Sequence, residues 1–160
     1  EETYIRGSDL FVDCPPDDRQ IGVQAYYRDL SHGTPGVELV VSAHTDTLGI
    51  PLHLQVVSEA AGKIQQKTNS VWADPSANSG NLFRWVDGQG QVIAVQIVHP
   101  SDFGNTAIDG SSLRCDLFPE PLEKGVLRRG RIRCYFGAIT DPVIEQLYSE
   151  FLDAPLPLTT

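Results

Sequence analysis

Apolar and polar residues alternate with a period of two along most of the chain. Ile21, Val23, Ala25 and Tyr27 alternate with Gly22, Gln24, Tyr26 and Arg28; Val37, Leu39, Val41 and Ala43 alternate with Glu38, Val40, Ser42 and His44. Successive strand side chains point to opposite faces, so this pattern predicts strands with one buried face. Leu54 and Val56 open another run. Val92 to Val98 is apolar on both parities except at Gln96, which predicts a strand covered on both faces. Leu113 to Phe118 and Val126 to Ile139 complete the set. Turn signals separate these runs at Cys14–Asp18, His32–Gly36, Ala61–Lys63, Asp87–Gly90, Phe103–Asn105 and Asp109–Gly110. Strands and turns recurring every ten residues or so, about the spacing seen in all-β domains, read as an antiparallel sandwich or barrel. The expected fold is all-β: one antiparallel β-sandwich domain over residues 1–160 with a single C-terminal helix.

That helix is expected over about residues 141–152. Asp141 suits the N-cap, and Pro142 suits the first helical position, where its missing N–H has no partner to lose. Ile144, Leu147, Tyr148 and Phe151 then fall on one face, as a helix lying on a sheet requires. The prolines of Ala154–Thr160 make residues 153–160 an extended tail. The polar stretch Lys67–Asn81 reads as a long loop. Trp72, its one large apolar residue, either anchors the loop to the body or stands out as a stacking platform for a sugar ring.

Composition changes this picture in one respect. The 160 residues suit one domain, and the formal net charge is −9. Residues 1–18 supply −5 of that charge and residues 140–160 supply −4, so the body between them is neutral. The overall acidity argues against a nucleic-acid partner, which calls for a basic footprint. No run of about 18 apolar residues exists to form a membrane span. Cys14, Cys115 and Cys134 are odd in number and lack a CxxC spacing, which excludes a zinc ribbon and a dense disulfide framework. Three free thiols are expected, with one bridge and a spare thiol as the alternative. No signal peptide or lipidation motif occurs, so a cytoplasmic location is the favoured expectation.

Within the neutral body lies one basic patch. In a strand, Arg129, Arg131, Arg133 and Tyr135 share one face, while Ile132, Cys134 and Phe136 share the other. Guanidiniums in a row need acids, anions or water to face. They are either paired across strands with Asp116, Glu120 or the terminal acids, or they form a site for an anionic or polyhydroxyl ligand. A second signal is an internal echo. Val37, His44 and Gly49 recur in spacing as Val92, His99 and Gly104, with Tyr27-Arg28 and Phe83-Arg84 before each run. One hairpin used twice would place His44 and His99 at equivalent sheet ends.

Nucleophile and phosphate motifs are missing: there is no glycine-serine-glycine elbow, no GxGxxG and no P-loop lysine. His99-Pro-Ser-Asp102 has the residue types of a triad but packs them into four positions. Ser42-Ala-His-Thr-Asp-Thr-Leu-Gly49 resembles the His-x-Asp signature of zinc aminopeptidases and deacylases. The only Glu-Glu pair here is Glu1-Glu2 at the terminus, the βαβ alternation of that family does not occur, and two ligands do not make a catalytic zinc site. No catalytic residue, metal ligand or cofactor is assigned.

Leu122-Glu-Lys-Gly-Val-Leu-Arg-Arg-Gly-Arg-Ile-Arg133, with the closing Pro157-Leu-Thr-Thr160, resembles segments of uncharacterised bacterial proteins of planctomycete type. More loosely, the many antiparallel strands with a late arginine-rich strand are similar to galactose-mutarotase-like supersandwich domains. That resemblance implies a histidine acid, for which His44 or His99 is the nominal match, and a glutamate base, for which this chain offers no match. The expected function is a non-catalytic binding or accessory module for carbohydrate or an anionic ligand. Its candidate ligand-binding residues are Arg129, Arg131, Arg133, Tyr135, His44, His99 and Trp72. A carbohydrate-active enzyme of mutarotase or lyase type and a structural or oligomerisation domain are the alternatives.

Overall fold

The structure is a computed structural model that describes residues 2–16, 18, 20–30, 33–51, 54–76 and 80–155. Among the described residues, twelve strands and one helix follow one another along the chain. The strands are β1 (Glu2–Arg6), β2 (Asp9–Cys14), β3 (Ile21–Asp29), β4 (Gly36–Thr45), β5 (Leu54–Glu59), β6 (Lys63–Thr68), β7 (Val71–Ala73), β8 (Leu82–Val86), β9 (Val92–Val98), β10 (Phe103–Asp109), β11 (Ser112–Leu117) and β12 (Arg128–Phe136), and the helix is α1 (Asp141–Asp153). Nine strands form one sheet in the order β1-β2-β3-β4-β12-β9-β8-β6-β7, and three form a second in the order β10-β11-β5. Neighbours run antiparallel throughout. The protein is an all-β sandwich with one C-terminal helix.

The alternation read from the sequence explains which side of each strand is buried. Val41 and Ala43 of β4, Ile21 of β3 and Ile132 of β12 point into the space between the sheets, where Leu113, Cys115 and Leu117 of β11 meet them. The opposite parity carries the second core. There Val95 and Ile97 of β9 and Tyr135 of β12 lie under Ile144 and Phe151 of α1. Strand β9 is therefore covered on both faces, as its two-sided apolar run predicts. A bulge opposite Trp85 and Val86 lets Ile93 and Ala94 both face the first core.

Strand β12 is inserted between β4 and β9, so the hairpins β3–β4 and β8–β9 flank it on either side. These are the two hairpins of the sequence echo.

Three expectations need correction. Residues 67–81 are not one long loop: β7 turns back on β6 through Asn69 and Ser70, whose φ values of 49° and 66° build the tight hairpin turn. Phe103-Gly-Asn105 is not a turn but the start of β10, where Gly104 passes against Pro119 so closely that a Cβ would lie 3.1 Å from it. The helix is capped by Thr140 rather than Asp141, without a side-chain cap bond, and Asp141 instead bonds Arg84 Nη1 at 2.6 Å. The helix ends one residue later than expected. Ala154 is extended, and residues 156–160 of the expected tail lie outside the described residues.

Candidate functional site

The arginine row lies on the face of the large sheet that carries α1. Arg129, Arg131 and Arg133 sit opposite Ser42, Val40 and Glu38 of β4. Arg131 is 3% exposed. Its Nη1 donates to the carbonyls of Ala154 at 2.8 Å and Pro155 at 3.1 Å, where the helix ends. The last turn of α1 contains no basic residue of its own. Arg131 thus supplies from the sheet the positive group that the carbonyl end of a helix favours. Arg133 Nε donates to Glu38 Oε1 at 2.8 Å, and Glu38 is itself buried. Both guanidiniums lie over the Phe151 ring, 5.1 and 5.0 Å from its centroid. Burial pushes the Tyr135 phenol up, an effect the neighbouring Arg133 opposes. Arg128, on the strand's first residue, pairs with Glu120 at 3.1 Å. Arg131 and Arg133 are spent on the protein's own groups, and the helix covers them.

The other half of α1 is held in the same way by β6 and β8. Lys67 pairs with Glu145, and Arg84 pairs with Asp141. Trp72 stands between these cations, with Arg84 4.1 Å and Lys67 5.3 Å from its ring centroid, and packs against the second core. It anchors β7. Asp141 and Glu145, the acids in the first half of α1, therefore meet Arg84 and Lys67.

His44 and His99 do lie toward the same end of the sheet, on strands either side of β12. His44 falls opposite the position of Leu127 and His99 opposite Arg131, four residues apart in register. That is roughly 13 Å along the strand, with two strand spacings of about 5 Å between them. They do not converge on one site. The His44 imidazole lies over Gly22, whose missing Cβ leaves it room. His99 Nδ1 meets Ser101 Oγ at 2.7 Å, and Ser101 Oγ donates to Asp102 Oδ1 at 2.9 Å. A nucleophilic triad needs the histidine between serine and carboxylate. Here the serine is in the middle, and its proton already serves the carboxylate. Asp102 is structural: its Oδ2 accepts from the Arg131 backbone N–H at 3.1 Å, and its carbonyl accepts from Phe118 N at 3.0 Å. Among the described residues no three His, Cys, Asp or Glu side chains gather to hold a metal. No helix of the described residues is long and apolar enough to cross a membrane.

All three cysteines are free. Cys115 and Cys134 face each other from the two sheets through the Gln96 amide, which donates to Cys115 Sγ at 3.4 Å and accepts from the Cys134 thiol at 3.6 Å. Burial pushes each of these two thiols up to about 12. Such thiols are protonated and unreactive at neutral pH.

The feature that sequence reading did not single out is a groove at the open side of the sandwich. It holds about 260 Å³ and is lined by Val23, Ala25, Tyr27, Leu39, Val41, Leu54, Gln55, Val56 and Val57. The large sheet extends past β5, the last strand of the small one, so β3 and β4 are only partly roofed. The sequence signals for its walls were the alternation at Val23, Ala25 and Tyr27, at Leu39 and Val41, and at Leu54 and Val56. No protein-family model matches the chain, and no curated protein shows significant sequence similarity to it.

Proposed function

We propose that this protein is a non-catalytic binding module whose ligand surface is the groove between β3, β4 and β5. The observation that carries the reading is its lining: the Tyr27 hydroxyl is the polar side-chain group in a wall that is otherwise aliphatic, since the Gln55 amide is turned to Asp116 at 2.7 Å. Ligand sites are concave and mostly apolar, with few polar groups to set orientation. The volume is near the lower end of the usual range and suits a small apolar molecule or one short acyl chain. Tyr27, 38% exposed at the mouth, supplies the hydroxyl that can meet a polar end. An anionic or sugar ligand on the arginine row would first have to displace α1, and this makes the groove the better candidate.

The test is a titration with decanoate and, separately, with anilinonaphthalene sulfonate, on the protein and on Val56→Asp. Saturable binding that the substitution weakens tenfold or more supports the groove, a change of about 1.4 kcal/mol. Binding that Val56→Asp leaves unchanged, or no saturable binding of either probe, overturns it. Near-ultraviolet circular dichroism of the variant confirms that the sandwich is intact.

A further inference from the structure

Two sheets present four outer edges: β1 and β7 on the large sheet, β10 and β5 on the small one. An edge strand carries a row of backbone N–H and C=O groups that can pair with another strand. Three of the four edges are poorly made for pairing with a copy of themselves. Strand β7 is three residues long. Strand β10 is irregular between Phe103 and Thr106. Strand β5 is regular, but two-fold antiparallel pairing centred on Val56 sets Leu54 against Ser58 and Gln55 against Val57, with no opposite charges to fix the register.

Strand β1 is different. All five residues, Glu2 to Arg6, are exposed. The sequence Glu-Thr-Tyr-Ile-Arg is complementary to itself when read antiparallel about Tyr4. Glu2 then falls opposite Arg6 of the second copy, and Arg6 opposite its Glu2, with Thr3 opposite Ile5. Opposite charges directly across a strand pair stabilise it, and like charges destabilise it. A two-residue slip either way loses both ion pairs, so the charges also fix the register.

Both faces of β1 are continuous with side chains that end abruptly at this edge. On one face, Tyr4 stacks on Phe11 at 5.2 Å, and Phe11 on Tyr26 at 5.3 Å. A second copy would extend this row through its own Tyr4. On the other face, Ile5 is 76% exposed beside Leu10, which pairs in turn with Tyr27. We propose that the protein forms a two-fold symmetric homodimer through antiparallel β1–β1 pairing, joining the two large sheets into one. A two-fold interface uses the same patch on both copies, and a charge-palindromic strand satisfies that requirement by itself.

The test is sedimentation equilibrium of the full chain up to about 100 µM, near the weak end of specific association. The protein should dimerise reversibly. Glu2→Lys alone and Arg6→Glu alone should each weaken the dimer about tenfold or more, because each sets two like-charge pairs across the axis. The double variant E2K/R6E should restore dimerisation, since it exchanges the charges without changing their complementarity. Mixing the two single variants should give a heterodimer, although neither associates with itself. A monomer at every concentration overturns the proposal. So does a dimer that the single substitutions leave unaltered, or one that the double exchange does not rescue. Thermal melts of each variant confirm that these exposed substitutions leave the fold intact.

Discussion

The two faces of the nine-stranded sheet are covered by opposite means. The inner face meets the small sheet through aliphatic and aromatic side chains, with Phe83, Val98, Leu113 and Cys115 all fully buried. The outer face meets one helix through a mixture. Ile144 and Phe151 are buried there, but Arg131, Arg84 and Lys67 fix the helix by directional bonds, and Arg133, paired with Glu38 in the sheet, lies over the Phe151 ring. Apolar burial is non-directional and grows with area, so it holds two sheets together without dictating one orientation. A buried guanidinium is tolerated only where acceptors meet it, so it specifies where the helix must end. The lesson is a division of labour: area stabilises the inner contact, and hydrogen-bond geometry positions the outer one.

The largest expected effects compare the aromatics at the two interfaces. Phe83→Ala and Phe151→Ala should each destabilise by about 3–5 kcal/mol, since both side chains are fully buried. Hydrogen exchange separates them. Phe151→Ala should release the amides of α1 and spare β11, whereas Phe83→Ala should loosen the sandwich. Equal loss in both elements for both variants would show that the faces are not independent.

The inner face should also fail first in alkali. Cys115 and Cys134 hold their protons to about 12 in the folded state, whereas an unfolded thiol loses its proton near 9. The native state therefore binds more protons above pH 9, and stability falls as pH rises from about 9 to 12. The loss at pH 10 should be about 3 kcal/mol for the two thiols together. Denaturant melts between pH 8 and 10.5 check this, and a Cys115→Ala, Cys134→Ala double variant should flatten the dependence.

On the outer face, Arg131→Met keeps the stem's packing but removes the bonds to the Ala154 and Pro155 carbonyls. The expected cost is about 2 kcal/mol by chemical denaturation, in the range for bonds to a charged group. The smallest effect belongs to Arg84→Ala. Asp141 is largely exposed, so the ion pair and the contact with Trp72 together should be worth under about 1 kcal/mol. A larger loss at Arg84 than at Arg131 would reverse the assignment of the buried arginine as the group that fixes the helix.

Much of this was legible along the chain. The parity of β3, β4 and β12, the two covered faces of β9, and the apolar stripe of α1 all follow from side-chain periodicity, which is a local property. The shared face of Arg129, Arg131, Arg133 and Tyr135 was legible for the same reason, whereas Glu120, read as a partner for that row, pairs with Arg128 instead. What faces the arginines was not. Arg133 bonds Glu38, 95 residues earlier, and Arg131 bonds carbonyls that follow the helix. Strands β1, β2, β6, β7 and β10 were missed: they are short, and the polar Lys63–Thr68 run and the Gly104-Asn105 pair carry turn-like composition. Tertiary pairing overrides such weak local preference. The groove escaped notice because its walls come from β3, β4 and β5, and its existence depends on where the small sheet stops.

The sequence by itself determined which side chains share a face, where the helix lies, and that the acidity belongs to the two ends around a neutral body. The tertiary structure alone decided that β12 enters between β4 and β9, that α1 closes over Arg131 and Arg133, and that β1 and the groove wall remain open. Periodicity is set by backbone geometry within a few residues. Coverage depends on strand order across the whole chain, and any strand of suitable parity is locally an acceptable neighbour.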